Sequence, residues 1–141
     1  MNRASFVFLI AIGALGVSRG ASAQADPERG RREFESSCAV CHGVEATGDG
    51  PLRPFLRKPP PDLTTLARRA GGTFPAHDVM AMIDGRSSVR IGSHGTREMP
   101  VWGQVYLESA HDEAARTKLQ PEGSVHARLM ALVDYLARLQ R

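Results

Sequence analysis

The stretch Cys38-Ala39-Val40-Cys41-His42 decides how the rest of the chain is interpreted. Two thiols at this spacing can each add to one vinyl group of a single porphyrin, and the adjacent imidazole can then bind its iron. A zinc site would need further thiolates or a paired histidine site, and the chain has only 2 cysteines. A thioredoxin-like dithiol would need a βαβ setting, which the sequence does not show. We therefore predict one covalent haem c and no disulfide between Cys38 and Cys41.

Residues 1–23 have the pattern of a secretory signal peptide. Arg3 supplies a positive start, residues 6–17 are a short apolar run, and Ala21-Ser22-Ala23 has the small-x-small form of a cleavage site. Ala23-Gln24-Ala25 repeats that form two residues later. The apolar run is short and interrupted by glycine, although an uncleaved membrane anchor is the alternative. We expect export to a bacterial periplasm, where haem is attached to reduced thiols.

Residues 24–141 are expected to form a single domain with a modest core. The chain of 141 residues carries a net charge of +3, which falls when Arg3 and Arg19 leave with the signal peptide. Because no block of like charges occurs, no nucleic-acid-binding tail is indicated.

The fold class predicted from the patterning is all-α, since no strand pattern of useful length occurs. Asp26-Pro27-Glu28 is a strong helix start, and the first helix should end near Ser37. Shorter helices are predicted over 63–70, 76–83 and 102–108. Residues 43–61 should form turns and extended chain, and residues 86–100 a loop that wraps a cofactor edge.

The last segment is the clearest helix of the sequence. Its apolar residues recur at helical spacing: Leu129, Leu132, Val133, Leu136 and Leu139. Such a helix needs a packing partner, and the face carrying Gly30 and Phe34 in the first helix is the candidate.

The iron's second axial position decides the chemistry of such a protein. Met99 is the candidate ligand because it lies in the predicted loop, and the following Pro100 stiffens the chain beside it. His94 is a rival from the same loop. Met80, Met82 and Met130 lie in predicted helices, where packing in the core is the preferred interpretation.

Taken together, the motifs resemble those of a class I c-type cytochrome over essentially the whole chain after the signal peptide. The matching residues are Gly30 and Phe34, Cys38 to His42, Gly48-Asp49-Gly50-Pro51, Pro59-Pro60-Pro61-Asp62-Leu63, Met99-Pro100-Val101-Trp102-Gly103 and Leu132-Val133-Asp134-Tyr135-Leu136. The resemblance implies a class I cytochrome c fold, in which the first and last helices cross and a Met-bearing loop closes the haem crevice.

The resemblance also implies roles for individual residues. Cys38 and Cys41 would carry the thioether bonds, His42 would be the proximal ligand and Met99 the distal ligand of the iron. A backbone carbonyl of the Pro59–Pro61 run would accept the other imidazole N–H of His42; Pro60 is the candidate, and its two neighbours are the alternatives. Trp102 would either hydrogen-bond a haem propionate or pack on the haem edge.

Two features have weaker assignments. Arg57 is a candidate propionate partner, although an exposed arginine is the preferred interpretation. The stretch 111–124 is longer and more charged than a minimal electron-carrier protein needs. We favour a solvated insertion over a docking surface for it.

The expected function is transfer of single electrons between protein redox partners, without enzymatic turnover. The partners would be a dehydrogenase, a terminal oxidase or a reductase, met transiently or within one complex. The alternative is a haem protein with an open or switchable distal site for gas sensing or peroxide chemistry. A peroxidase would need a second haem or a positioned acid–base group, and no second Cys-x-x-Cys-His occurs.

Overall fold

The computed structural model describes residues 27–86, 99–117 and 121–141. The predicted signal peptide, His94 and most of the loop predicted over 86–100 lie outside these residues.

The described chain is all-α, as predicted, and contains no strand in those residues. The helices are α1 (Pro27–Ser37), α2 (Ala39–His42), α3 (Leu66–Arg69), α4 (Ala76–Asp84), α5 (Trp102–Thr117) and α6 (Pro121–Arg138). Two single 3₁₀ turns, Arg53–Phe55 and Leu63–Thr65, lie between α2 and α3. The helix predicted over 63–70 is therefore a 3₁₀ turn that leads into a short α-helix.

Residues 111–124, predicted to be a solvated insertion, are largely helical. Helix α5 continues to Thr117, and α6 begins at Pro121, so most of this stretch is helical. Ala110 and Val125 are buried on either side of it, whereas Asp112 and Glu113 are exposed. The sequence did not indicate a helix here, because charged residues dominate the stretch and too few apolar residues mark an inner face.

Helices α1 and α6 cross where the sequence predicts. A side chain at Gly30 would overlap the carbonyl oxygen of Ala131 and lie 2.8 Å from Cβ of Tyr135. The rings of Phe34 and Tyr135 pack one turn further along, with centroids 5.5 Å apart. Glycine at position 30 therefore permits the close backbone approach on which the crossing depends.

The core lies between α1, α5 and α6, with a contribution from α4. Its largest fully buried side chains are Tyr106, Phe34, Leu132 and Val125. Met80 packs against this core. Met130 does not, because it is 42% exposed on α6, so the prediction of core packing is wrong for that residue.

The end of the chain is tied to the segment that follows the proline run. The side-chain carboxylate of Asp62 accepts a hydrogen bond from the Thr64 amide at 2.8 Å and caps the 3₁₀ turn. Gln140 donates to the Leu63 carbonyl at 2.9 Å and accepts from the Ala67 amide at 2.8 Å. These bonds hold the far end of the proline run against the end of α6.

A membrane-crossing helix would need a long and strongly apolar stretch. None of the helices in the described ranges meets that requirement.

Candidate functional site

The two cysteines and His42 lie at the junction of α1 and α2. Helix α2 is a single turn, Ala39–His42, and a helix this short is not stable alone. The loop that follows folds back and satisfies its free carbonyl groups. The amides of Gly48, Gly50 and Leu52 donate to the carbonyls of His42, Cys41 and Val40 at 2.8, 3.2 and 3.0 Å.

Two glycines of that loop allow it to approach so closely. Gly48 has a φ of 83°, and a side chain there would overlap the carbonyl oxygen of Pro60. A Cβ on Gly50 would lie 2.5 Å from the carbonyl carbon of Cys41. The loop therefore packs closely against both the cysteine motif and the proline run. These contacts hold the motif and the proline run on the same side of the fold.

A cleft of about 1050 Å³ opens beside this motif. Cys38, Cys41, His42 and Met99 all line it. Most of its remaining wall is apolar and comes largely from α1 to α4, from α6 and from the chain between α2 and α3, including Phe34, Val40, Leu52, Leu56, Leu63, Leu66, Val79, Ile83, Leu132 and Leu136. The structure thus brings together four residues that the sequence predicts to hold the haem.

Both cysteines are free thiols and half-buried. Burial, together with the smaller effects of the Glu33 and Cys41 charges, raises the pKa of the Cys38 thiol to about 12. A reactive dithiol motif needs a lowered thiol pKa to supply the thiolate. The environment of Cys38 therefore disfavours a thioredoxin-like role and is that of a neutral thiol in an apolar wall.

His42 and the proline run share the cleft. Nδ1 of His42 is buried, and Pro59, Pro60 and Pro61 line the same cavity. The hydrogen bond from the imidazole to a carbonyl of this run stays a prediction.

Met99, Pro100 and Trp102 also line the cleft. Met99 is half-buried and packs against the core. The Trp102 ring lies against that of Tyr106, with centroids 5.7 Å apart. Packing of Trp102 at the cleft is thus observed, and its hydrogen bond to a propionate stays a prediction.

The segment that bears Met99 is anchored to the end of α4. Gly85 ends α4 with a φ of 64°, and a Cβ there would lie 3.3 Å from a methyl group of Val101. A side chain at Gly103 would overlap the Asp84 carboxylate and lie 2.6 Å from Nε of Arg86. Arg86 also donates to Glu122 at 3.0 Å. The glycine of Met-Pro-x-Trp-Gly is therefore required by a close contact that the sequence does not reveal.

Three residues of the cleft were missed or misassigned from the sequence. Met82, predicted to pack in the core, lines the cleft instead. Lys58 and Arg69 line it too. Arg57 does not line the cleft and is exposed, as the preferred interpretation has it. The spacing of Val79, Met82 and Ile83 on α4 is a signal that could have indicated Met82.

The other histidines that the structure describes do not form a metal site. The imidazole of His77 lies at the rim with its side chain 93% exposed, and His111 and His126 are exposed. In the described ranges, no three His, Cys, Asp or Glu side chains are grouped closely enough to hold a metal ion.

The residues present fit a covalently attached porphyrin. Two free thiols, an imidazole and a thioether lie on the wall of one large apolar cleft, which matches the donor set and surface of haem c. Two cations at the cleft, Lys58 and Arg69, can face acidic propionates.

The comparisons with known proteins agree with this chemistry. A family model described as Cytochrome c matches residues 27–139, which include all six helices. No curated protein and no solved structure matches the chain significantly.

Proposed function

The chain belongs to the cytochrome c family, and on that premise we propose that it is a mono-haem electron carrier of the bacterial periplasm. As a member of the family it binds haem c covalently and is a haem-based electron-transfer protein. Beyond this, we propose which residues bind the haem and its iron, that the protein lies in the periplasm, and that its partners are other redox proteins.

The observation that carries the proposal is the shared cleft of Cys38, Cys41, His42 and Met99. We assign the thioether bonds to the two cysteines, and His42 and Met99 would ligate the iron. Haem iron supplies one-electron chemistry, and His/Met ligation suits electron transfer at a raised potential. The protein's own residues orient these groups and exclude water with an apolar wall.

The packing around the cleft suits a carrier that changes little between redox states. The loop after His42 is held by backbone hydrogen bonds to α2, and the Met99 segment is anchored by Gly85 and Gly103. Ligands that move little between oxidation states suit electron transfer, because little rearrangement then accompanies each step.

The rival function is gas binding, gas sensing or peroxide chemistry at an open distal position. The location of Met99 and Pro100 on the cleft wall favours a filled position instead. The test is an optical spectrum of the holoprotein, oxidised and reduced, with and without carbon monoxide. A low-spin spectrum that carbon monoxide leaves unchanged is expected, and a large shift would move the assignment to the rival.

Export is part of the proposal because residues 1–23 have the features of a cleaved signal peptide. Mass spectrometry of the protein from a periplasmic fraction tests this assignment. A mature chain beginning at Gln24, or at Asp26 after the second cleavage site, is expected. A chain retained with residues 1–23 in the membrane fraction would indicate an anchor instead.

The partners in this proposal are other redox proteins: a dehydrogenase that supplies electrons, and a terminal oxidase or reductase that accepts them. Encounters between electron-transfer proteins are typically transient and bury little surface. The alternative is that the protein is a permanent subunit of a complex with one partner. A permanent subunit should co-purify with that partner, whereas a free carrier should not.

A further inference from the structure

Arg86 links the end of α4 to the start of α6. Its Nε donates to Oδ1 of Asp84 at 2.6 Å, and its Nη2 donates to the other oxygen of that carboxylate at 3.4 Å. Its Nη1 donates to both carboxylate oxygens of Glu122, in the first turn of α6, at 3.0 Å. We call Asp84, Arg86 and Glu122 the Arg86 clamp. The side chains of Arg86 and Asp84 are only 27% and 25% exposed, so water screens this pair less than an ordinary surface pair.

The start of α5 packs directly on the Arg86 clamp. Gly103 is the second residue of α5, and a Cβ there would overlap Oδ1 of Asp84 and lie 2.6 Å from Nε of Arg86. The backbone of α5 therefore lies against the two atoms that form the shortest hydrogen bond of the clamp. The Asp84 carboxylate also brings a negative charge to the first turn of α5, where the helix dipole favours it. The clamp thus supports the position at which α5 begins.

Met99 lies on a short stretch of chain just before α5. Residues 99–101 are not helical, and Met99 precedes Gly103 by only four positions. Pro100 fixes one of the few backbone angles between them. The position of the Met99 side chain in the cleft therefore depends on where the first turn of α5 is held.

The clamp itself lies outside the cleft. None of its three residues lines the cavity, whereas Met99 and Trp102, from the segment that it supports, both do. A substitution in the clamp therefore removes no side chain from the cleft wall. Groups that orient a metal ligand without touching the metal commonly change the strength of its binding roughly tenfold or more. The clamp has the placement of such a group.

We propose that Arg86 is a positioning residue for Met99. Through the clamp it holds the thioether at the distal side of the haem, and so sets how readily an external ligand displaces it. This inference rests on the proposed function, in which Met99 ligates the iron. The competing account is that the clamp stabilises only the packing of α4, α5 and α6, without an effect on Met99.

The test measures exchange of the distal ligand for added imidazole in the oxidised holoprotein. An imidazole nitrogen replaces the thioether without a change of oxidation state, and stopped-flow absorbance follows the exchange. At high imidazole concentration the observed rate levels off at the rate with which the thioether leaves the iron. Arg86→Met should raise this limiting rate roughly tenfold, the factor expected when a charge-assisted hydrogen bond that holds a segment closed is lost. Arg86→Lys keeps the charge but loses the two-sided geometry of the guanidinium, so a smaller increase is expected.

A second variant disturbs the clamp from α5. The methyl group of Gly103→Ala would displace the Asp84 carboxylate, so this variant should also raise the limiting rate. Gly123→Ala is its matched control, because a Cβ there has no atom within 4 Å. Arg138→Met is the control for Arg86→Met, since it breaks an exposed ion pair of α6 away from the cleft. Both controls should keep the limiting rate within about twofold of the parent's.

Gly30→Ala separates positioning from a general loss of stability. It strains the crossing of α1 and α6 and leaves the Arg86 clamp intact. This variant should unfold at a lower urea concentration, yet keep a limiting rate within about twofold of the parent's, because a segment opens locally without unfolding of the whole protein. An increase as large as that of Arg86→Met would overturn the positioning role.

The outcomes separate this inference from the function on which it rests. A parent that binds imidazole without any limiting rate, and whose spectrum shifts with carbon monoxide, has an open distal position, which overturns the proposed function and this inference together. A limiting rate that Met99→Ala retains overturns this inference alone, since another residue then fills the position. A limiting rate that neither Arg86→Met nor Gly103→Ala changes also overturns it and leaves the proposed function standing.

Discussion

Arg128 forms a bidentate ion pair with Glu33 across the crossing of α1 and α6. Its Nε donates to Oε1 and its second terminal nitrogen to Oε2, each at 2.9 Å. The two side chains are 24% and 15% exposed, respectively. Arg128 also lies 4.0 Å from the ring centre of Tyr106 and donates to Ser109 at 3.0 Å. This one guanidinium thus links α1, α5 and α6 behind the wall that carries Cys38.

Replacing Arg128 with methionine should destabilise the protein strongly. The change leaves the largely buried Glu33 carboxylate without its cation, and removing one partner of such a pair costs about 3 kcal/mol of unfolding free energy. The measurement is urea unfolding of the holoprotein near neutral pH. Arg138→Met is the control, because it breaks an exposed pair with Asp134 and should cost only about 0.5 kcal/mol. Equal losses in the two variants would contradict a special role for Arg128.

Gly30→Ala should also lower the unfolding free energy, by about 2 kcal/mol. The added methyl group would meet the backbone of Ala131, so one of the two helices has to shift. Gly123→Ala is the matched control in α6, since a Cβ there has no atom within 4 Å. It should leave stability unchanged or raise it by up to about 1 kcal/mol, as helix propensity predicts. A Gly30→Ala variant as stable as the parent would show that the helices do not depend on this approach.

Met99→Ala should leave the haem attached while lowering its reduction potential and admitting carbon monoxide. Met82→Ala is the informative comparison, because Met82 lines the same cleft from α4. That variant should keep the parent's spectrum and its indifference to carbon monoxide. If the effects of the two substitutions are exchanged, Met82 is the distal ligand and the assignment of Met99 is wrong.

The double variant Cys38→Ser with Cys41→Ser should lose covalent haem. Each serine keeps roughly the volume of the side chain but cannot form the thioether bond. The readout is haem staining after denaturing electrophoresis, which retains only covalently bound haem. Each single variant should keep one thioether and a weaker stain. Normal staining of the double variant would refute attachment through these residues.

Thr64 should control the acidity of Asp62. A hydrogen bond from the Thr64 hydroxyl, which is 2.6 Å long, is the main cause that lowers the pKa of the Asp62 carboxyl. Thr64→Val removes that donor at a buried position of similar volume and should raise the Asp62 pKa towards its ordinary value. An NMR titration of the side-chain carboxyl measures the change.

The sign of the resulting pH dependence follows from the lowered pKa. The stabilisation from Asp62 is present above the pKa of the unfolded chain and is lost as the pH falls through the lower pKa of the folded protein. Thr64→Val should therefore lose more stability near neutral pH than in acid. Thr65→Val is the control, because its hydroxyl donates to the backbone carbonyl of Asp62 rather than to the carboxylate. The same pH dependence in both variants would contradict this account.

Local patterns predicted the ends of several helices well. Pro27 begins α1, and Gly85 ends α4 in the left-handed conformation, as their capping preferences indicate. The pattern failed for α5, whose helix runs on to Thr117. In that segment Asp112 and Glu113 are exposed, and too few apolar residues mark the inner face for their spacing to indicate a helix.

Residue patterns alone were enough to predict the attachment motif, the all-α class and the pairing of the first helix with the last. These depend on spacing within one segment or on complementary faces that are visible in each helix. The lining of the cleft by Met82, Lys58 and Arg69, and the packing of Gly103 against Asp84, could be seen only in the folded protein. Such contacts join residues distant in the chain, and their geometry depends on how the helices pack rather than on any local pattern.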